Sequence, residues 1–376
     1  MANGIQSGLV TCRAGLEKVV TAELKGLGIQ VTGTGTRAVH FETDLAGIYR
    51  ANMGLRSGLN VVVPIRTFKA RNYELLYFQS RKTNWHKLFD VNCNLRIDVN
   101  GGSSTLRNTE YVVHRVKDGI VDTFRKLAGG RRPSISKEDP DIHILVHLNG
   151  DEVTLSLDTS GTPLFKRGYR VEHGIAPLKE DLAAGMLQMS GWDQKSPLLD
   201  PMCGSGTFLF EAWMLAAGIP PNAHRRFGFE SQFDYDSELH AAEREALLKG
   251  RRELPSDFVI TGWESDVETA KICQRILEGD FDGAPIELQQ KDFRATAQVV
   301  PGTFLMTNPP YGKRIGNEEE ARQLHLDLRQ LIESHDPPMR FAFFSALPKV
   351  LSLFSKVRTA EYTLFNGKLE GRLIVG

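Results

Sequence analysis

From Leu178 onward the chain alternates short apolar runs with amphipathic ones, and this alternation restricts the fold more than any other feature. "SPLLD", "FVITGWE", "IELQQKDF", "GTFLMTN" and "MRFAFFSA" read as strands, while "GTFLFEAWMLAAG", "DVETAKICQRILEG" and "EEARQLHLDLRQLIESH" read as helices. Such a succession builds an α/β unit, a mostly parallel sheet with helices on both faces, whose ligands lie at the carboxyl ends of the strands. The closing stretch "EYTLFNGKLEGRLIVG" reads as two strands around Asn366-Gly367, a pair that favours a type I′ turn. An antiparallel hairpin is therefore expected at one edge of the sheet.

The chain before residue 178 has a different texture. "AGLEKVVTAELKGLG" puts Leu16, Val19, Val20, Leu24 and Leu27 on one helical face and stops at Gly28. Strands follow in "IQVTGTGTRAVHFET", a helix in "DLAGIYRANMGLRS" and a strand in "GLNVVVPIRTF", making an α+β unit over residues 1–65. A second unit over 66–160 carries a helix "NYELLYFQSRKTNWHKLF", a strand "NLRIDVNG", a helix "TEYVVHRVKDGIVDTFRKLA" and two strands that alternate around "NGDE", a hairpin signal. Residues 161–177 have the Gly, Pro and charge content of a linker, and 178–376 form the α/β unit. With 376 residues and 41% hydrophobic content, the chain can fill two or three such cores.

Formal net charge is zero, but residues 1–178 hold 24 Lys and Arg against 17 Asp and Glu, and the remainder hold 22 against 29. A basic front half suits a polyanion, leaving chemistry to the acidic, motif-bearing back half. Cys12, Cys93, Cys203 and Cys273 lie far apart with no CxxC or Cys/His cluster, so neither a disulfide framework nor a metal site is expected. At least three of them read as buried small hydrophobes. No run of 18 apolar residues and no signal-peptide pattern occurs, so a soluble, cytoplasmic protein without membrane contact is expected.

Four polar residues fall at four successive strand ends. Asp200 precedes "PMCGSGT", where Gly204 and Gly206 let a ligand approach the backbone ahead of a helix amino terminus. The third glycine of a dinucleotide fingerprint is replaced by Leu209, and a leading carboxylate suits an amino-bearing ligand better than a pyrophosphate. Glu264 and Asp266 end the second strand, where an acid commonly holds a ribose diol. Asp292 ends the third and Asn308 the fourth. Singly, each is equally well an N-cap or a turn acid; together they converge on one crevice.

In "TNPPYG" the Asn308 amide oxygen and the Pro309 carbonyl stand side by side, and Pro309 and Pro310 fix φ. Two such acceptors can take both hydrogens of a planar exocyclic amine while Tyr311 stacks on its ring. The amine lone pair is then biased out of the ring plane toward an electrophile, so catalysis is orientation plus electrostatics without a metal or covalent nucleophile. The competing reading is a rigid Pro-Pro turn.

These residues resemble a class I S-adenosylmethionine-dependent methyltransferase with a Rossmann-like sheet. "DPMCGSGT" is similar to its methionine loop, "GWESD" to its ribose motif, "KDF" to its adenine motif and "NPPY" to the amine-binding motif of amino methyltransferases. "YVVHRVKDGIVDTF", "LSLDTSGTPLFKRGYR", "APLKEDLAAGML" and "LFNGKLEGRL" are similar to the THUMP-containing RNA guanine-N2 methyltransferases, of which the bacterial 23S rRNA enzymes are one branch and tRNA enzymes another. That resemblance implies a ferredoxin-like domain over 1–65 and a THUMP domain over 66–160 that binds structured RNA, rRNA or tRNA, through the basic front half. It implies S-adenosylmethionine as cofactor, transfer of its methyl group to guanosine N2, and no metal. Larger bacterial members carry a second methyltransferase domain, for which this sequence leaves no room.

Residue by residue, the resemblance implies that Asp200, Pro201, Cys203, Gly204, Ser205, Gly206 and Thr207 hold the methionine moiety. Glu264, Ser265 and Asp266 would serve the ribose; the family more often has Asp where Glu264 stands, so Asp266 shares or takes that role. Asp292 would meet the adenine amine with Phe293 beside it. Asn308, at the border of cofactor and substrate, would act with Pro309, Pro310 and Tyr311 on the target amine. The stretch containing "AHRRFGFESQ" matches a family insertion in which His224, Arg225 and Arg226 are either an RNA contact or an exposed basic turn. Two alternatives stay open: tRNA as substrate, and a non-catalytic RNA-binding or ribosome assembly factor with a relic crevice. Adenine-N6 and protein-glutamine methylation also use NPPY.

Overall fold

The computed structural model describes residues 4–136, 138–169, 178–295, 299–310, 318–347 and 350–376. In chain order the first elements are β1 (Gln6–Cys12), α1 (Glu17–Gly26), β2 (Gln30–Gly35), β3 (Ala38–Thr43), α2 (Leu45–Gly54), β4 (Gly58–Lys69), α3 (Tyr73–Arg81), β5 (Asn94–Gly102), α4 (Thr109–Leu127), β6 (Ser134–Ile135), β7 (Ile142–Asn149) and β8 (Glu152–Asp158). They are followed by α5 (Glu180–Met189), β9 (Leu198–Asp200), α6 (Thr207–Ala216), α7 (Ser237–Lys249), β10 (Ile260–Glu264), α8 (Val267–Asp280), β11 (Ile286–Gln290), β12 (Phe304–Thr307), α9 (Glu318–Glu333), β13 (Phe341–Ser345), α10 (Val350–Leu353), β14 (Ala360–Asn366) and β15 (Leu369–Val375).

The chain divides into two compact units. One comprises Met1–Thr11, Glu23–Leu164 and Asn222–Ala246; the other comprises Cys12–Ala22, Phe165–Pro221 and Leu247–Gly376. Asn222–Ala246 thus groups with the first unit and Cys12–Ala22 with the second.

The first unit is built on an eight-stranded sheet of order β2-β3-β1-β4-β8-β7-β5-β6. Asp44, Asn72 and Asn108 start α2, α3 and α4, each side chain accepting from a backbone N–H three residues on. Ile97, Ile144, Val146, Leu155 and Leu157 alternate inward against Val112, Val116, Ile120 and Phe124 of α4. The helix expected over 72–89 breaks after Arg81: Trp85 Nε1 donates to Ser80 O at 2.7 Å and its buried indole forces a separate turn, Trp85–Lys87. Within Asn222–Ala246, Phe227 and Phe229 stack on one another and Phe229 packs on Tyr49 of α2. Arg225, left above as an RNA contact or an exposed turn, is anchored to the chain: its guanidinium donates to the carbonyls of Pro163, Ser160 and Thr162.

The second unit carries a seven-stranded sheet of order β11-β10-β9-β12-β13-β15-β14. The pairs β10/β11, β9/β10, β9/β12 and β12/β13 are parallel, and β13/β15 and β14/β15 antiparallel. One face packs on α5, α6 and α8 through Leu182, Met186, Phe208, Leu209, Cys273 and Ile276, and the other on α9 through Leu328, Leu331 and Ile332. The edge hairpin forms as expected, but its turn differs: Asn366 pairs with Leu369, so the two loop residues are Gly367 and Lys368. Only Gly367 has positive φ there (66°), which suits a glycine-first II′ turn rather than I′. Cys12, Cys203 and Cys273 are buried and Cys93 half-buried, all four as free thiols.

Candidate active site

At the carboxyl ends of β9, β10, β11 and β12 the second unit opens a cleft of about 810 Å³, within the size range of small-molecule sites. The sheet order explains its position. The chain runs outward from β9 in both directions, so the loops after β9 and β12 diverge around a crevice.

The loop after β9 is shaped by glycine. Gly204 and Gly206 have φ of 56° and 85°, and a Cβ on Gly206 would lie 2.6 Å from Cys273 Sγ and 2.7 Å from Phe210 Cε2. Only glycine allows this turn to enter α6 so closely. The Asp200 carboxyl is buried beneath it, with Oδ1 accepting from Met202 N at 3.1 Å. Burial pushes the Asp200 pKa up to about 7. Thr307, whose hydroxyl has no partner in good hydrogen-bond geometry among the described residues, is near enough to pull it partly back. A cation arriving beside this buried acid would favour its carboxylate form and release the proton.

Glu264 links two loops. Its Oε2 accepts from Gly204 N at 2.9 Å and its Oε1 from Asp266 N at 2.8 Å, which leaves each oxygen lone-pair capacity for a diol. Asp266 caps α8, accepting from Thr269 N at 2.8 Å, and this contact lowers its pKa. Asp292 is engaged by its neighbour: the Arg294 guanidinium pairs with both carboxylate oxygens and holds the pKa below the usual range. Lys291 Nζ lies 3.7 Å from the Trp263 ring centroid, and burial pulls its pKa down.

At the far side β12 delivers Asn308 and Pro310 to the cleft, while Pro309 is buried behind them. Asn308 Oδ1 is buried and has no hydrogen-bond partner among the described residues, an expensive state for an acceptor unless something brings it a donor. Tyr311 lies outside the described residues.

The structure thus brings Asp200, Pro201, Cys203, Gly204, Ser205, Thr207, Glu264, Ser265, Asp266, Asp292, Phe293, Asn308 and Pro310 to one cleft. Gly206 shapes the turn beneath it. Sequence reasoning missed Lys291, Arg294, Leu178 and, on α9, Glu320, Gln323 and Leu324, which also line it. The α9 residues carry no motif and reach the cleft only because the helix crosses its rim. No group of three or more His, Cys, Asp or Glu suited to a metal occurs among the described residues, and no helix there is long and apolar enough to cross a membrane.

A parallel sheet of this order with an antiparallel edge hairpin, a glycine turn after its central strand and acids after the next two is the class I methyltransferase fold. The RMKL-like methyltransferase domain matches residues 167–374, the RlmL ferredoxin-like domain residues 9–62 and the THUMP domain residues 70–158. The chain belongs to the RMKL-like methyltransferase family, a family of S-adenosylmethionine-dependent enzymes. Its ferredoxin-like and THUMP domains precede that domain, as the resemblance implied.

Among curated proteins, the ribosomal RNA large subunit methyltransferase K/L of Cellvibrio japonicus is 33% identical over 97% of this chain and 50% of its own length. That of Desulfotalea psychrophila is 34% identical over 98% and 52%. The chain therefore spans about half the length of the curated relatives it matches. Among solved structures, SMU.472, described as a methyltransferase and complexed with SAH, superposes with a TM-score of 0.88 at 25% identity, covering 99% of this chain and 98% of that one. A Listeria monocytogenes protein described as an N6-adenine-specific DNA methylase superposes with a TM-score of 0.87 at 26% identity, covering 99% and 96%.

Proposed function

We propose that this chain transfers a methyl group from S-adenosylmethionine to the exocyclic N2 of a guanosine in structured RNA, with large-subunit ribosomal RNA as substrate and the basic THUMP-bearing half as its grip. The observation that carries the chemistry is the unpartnered, buried Asn308 Oδ1 at the mouth of a cleft that fits an amino acid joined to a nucleoside. We keep the division at 1–65, 66–160, 161–177 and 178–376 as the functional one, with Asn222–Ala246 an excursion of the last part.

The residues present fit the cofactor. Asp200 would take its ammonium, the Gly204–Thr207 turn its carboxylate end, Glu264 its ribose hydroxyls, and Asp292 with Phe293 its adenine. Bound there, S-adenosylmethionine supplies an electrophilic methyl group on a sulfonium. Asn308 Oδ1 and the Pro309 carbonyl accept the two hydrogens of the target amine and turn its lone pair toward that methyl; Tyr311 stacks on the base. The chain's contribution is position and fixed dipoles, which cost no reorganisation as charge develops. Asp266 is assigned to capping α8, leaving the ribose to Glu264.

The large-subunit methyltransferases among the relatives support ribosomal RNA over tRNA. One observation favours a second reading, adenine N6, since the Listeria relative is described that way. The test is to incubate the purified chain with radiolabelled S-adenosylmethionine and, separately, unmodified 23S rRNA and bulk tRNA, then digest and identify the labelled nucleoside. Label in N2-methylguanosine from 23S rRNA is the expected result. Label in tRNA moves the substrate, label in N6-methyladenosine replaces the base, and binding of cofactor without transfer to any RNA or ribosomal particle leaves only an assembly factor.

A further inference from the structure

Away from the cleft, the first unit has a second concave surface along the seam of α3 and α4. These helices touch almost backbone to backbone: a Cβ on Gly119 of α4 would lie 2.9 Å from Arg81 N and 3.0 Å from Tyr77 O of α3. Thr123 Oγ1 adds a hydrogen bond to Arg81 O at 3.0 Å. The seam is thus a rigid base for side chains that project from it.

Those side chains alternate aromatic rings with cations. Tyr111 packs edge-on against Tyr73 at 4.6 Å, the Arg115 guanidinium covers the Tyr77 ring at 4.6 Å, and Phe78 sits 5.3 Å from Tyr77. Tyr77 OH donates to Asp122, which orients the ring. Tyr111 and Phe78 are each 45% exposed, well beyond what a residue buried for packing shows. Beside them a groove of about 470 Å³ is lined by Arg115, Lys117, Arg125 and Arg132, with Asp118 and Asp122 as its acids.

The ion pairs within the groove are long, at 3.4 Å for Arg115–Asp118, 3.7 Å for Lys117–Asp118 and 3.5 Å for Arg125–Asp122. Exposed pairs of this kind contribute little, so an incoming phosphate can compete for the cations. Charge favours a polyanion over a protein helix on these apolar rings, because residues 69–136 hold 13 Lys and Arg against 6 Asp and Glu. The open aromatic faces decide between forms of nucleic acid. A duplex has its bases stacked and hidden, whereas a single strand can lay a base on each ring.

We propose that the α3–α4 seam docks a single-stranded segment of RNA, with phosphates on Arg115, Lys117, Arg125 and Arg132 and unstacked bases on Phe78 and Tyr111. The proposal rests on the reading of RNA as substrate and names the surface that grips it. The full chain is tested by fluorescence anisotropy with a labelled 12-nucleotide single-stranded RNA and the matching duplex at several salt concentrations. The double variants Phe78→Ala/Tyr111→Ala and Arg125→Ala/Arg132→Ala are compared with the parent protein, with melting temperature and S-adenosylhomocysteine affinity as folding controls.

The aromatic variant should lose roughly fivefold or more in single-strand affinity, the scale of base stacking, with an unchanged salt slope. The arginine variant should lose affinity and flatten the log–log salt slope on the single strand by about 1.4, roughly 0.7 for each phosphate contact removed. Tight binding by the parent protein that neither variant weakens overturns the surface while the RNA reading stands. Equal binding of duplex and single strand, with no effect of the aromatic variant, overturns the stacking. Unweakened RNA binding with loss of ribosomal-particle binding assigns the seam to a ribosomal protein and also overturns the proposal. No RNA binding by the parent protein together with no methyl transfer sinks the underlying reading itself.

Discussion

Asp200 shows how a single burial sets a pH dependence. Its pKa is pushed up to about 7 in the folded chain from an ordinary aspartate's 3.8, so between those values the folded state holds a proton that the unfolded chain has lost. Stability of the free protein from this group therefore falls as pH rises from about 4 to 7 and is level above. A ligand ammonium reverses the preference, since it favours the carboxylate and expels the proton. If Asp200 takes the cofactor ammonium, S-adenosylhomocysteine affinity measured by calorimetry should rise about tenfold per pH unit below 7 and then level off. Asp200→Asn should abolish that slope; an equally steep slope in the variant would remove Asp200 from the role. Asn308 belongs to the same scale. Asn308→Ala should lower turnover on RNA by roughly 10²-fold or more, the magnitude for loss of one oriented transition-state hydrogen bond, with cofactor affinity within about threefold of the parent. Asn308→Asp retains an acceptor and should recover part of the rate, and a fully active alanine variant would place Asn308 outside the chemistry.

Elements bring such residues together, and at this scale glycine and histidine matter most. Gly206→Ala meets both a positive φ and a filled space at Cys273 and Phe210, so it should cost about 1–3 kcal/mol in stability and weaken cofactor binding, read by denaturant melts and calorimetry. On the first unit's sheet, His143 Nδ1 is 3.0 Å from Asp158 and Nε2 is 2.8 Å from Asp98. Burial pulls the imidazole pKa down, but the two carboxylates outweigh it and the net shift is upward from 6.5. A raised folded pKa stabilises fully below the unfolded value and is lost as pH climbs through the folded one. The melting temperature should thus fall more steeply between about pH 6 and 9 in the parent than in His143→Gln; parallel curves would show that folding leaves the imidazole pKa unshifted. The strands around both sites were legible because apolar runs end in named polar residues. α7 was not: among its residues only His240 is buried, so it has no apolar stripe to read. β1 hid for another reason, since Gly8 and Cys12 are two of its inward positions, and a Cβ on Gly8 would lie 2.4 Å from Phe41. Asp292 was legible as a strand-end acid, but its clasp by Arg294 two residues on was not, because nothing in "KDFR" fixes the arginine's rotamer.

For the whole molecule, the chain passes between its two units five times, at residues 11/12, 22/23, 164/165, 221/222 and 246/247. A cut after the THUMP match therefore does not yield a complete first unit. Residues 1–164 alone would lack Phe227 and Phe229, both 2% exposed, and the Arg225 clamp on the carbonyls of Ser160, Thr162 and Pro163. Each phenylalanine stabilises by roughly 1.5–3 kcal/mol through burial, a large share of a marginal total. Residues 165–376 alone would lack Leu16 and Val19, which sit in the core with Leu182 and Met186, and would carry Phe227 and Phe229 without Tyr49. Both fragments should bind a hydrophobic dye and melt at least about 10 °C below the full chain, while a fragment of 1–164 joined by a short linker to 222–246 should recover most of the loss. Full-chain stability in the simple 1–164 fragment would mean that the excursion adds nothing to the first unit. The interleaving has a corollary for dissection: because each unit is assembled from separate stretches of the chain, a single proteolytic nick cannot release either one whole.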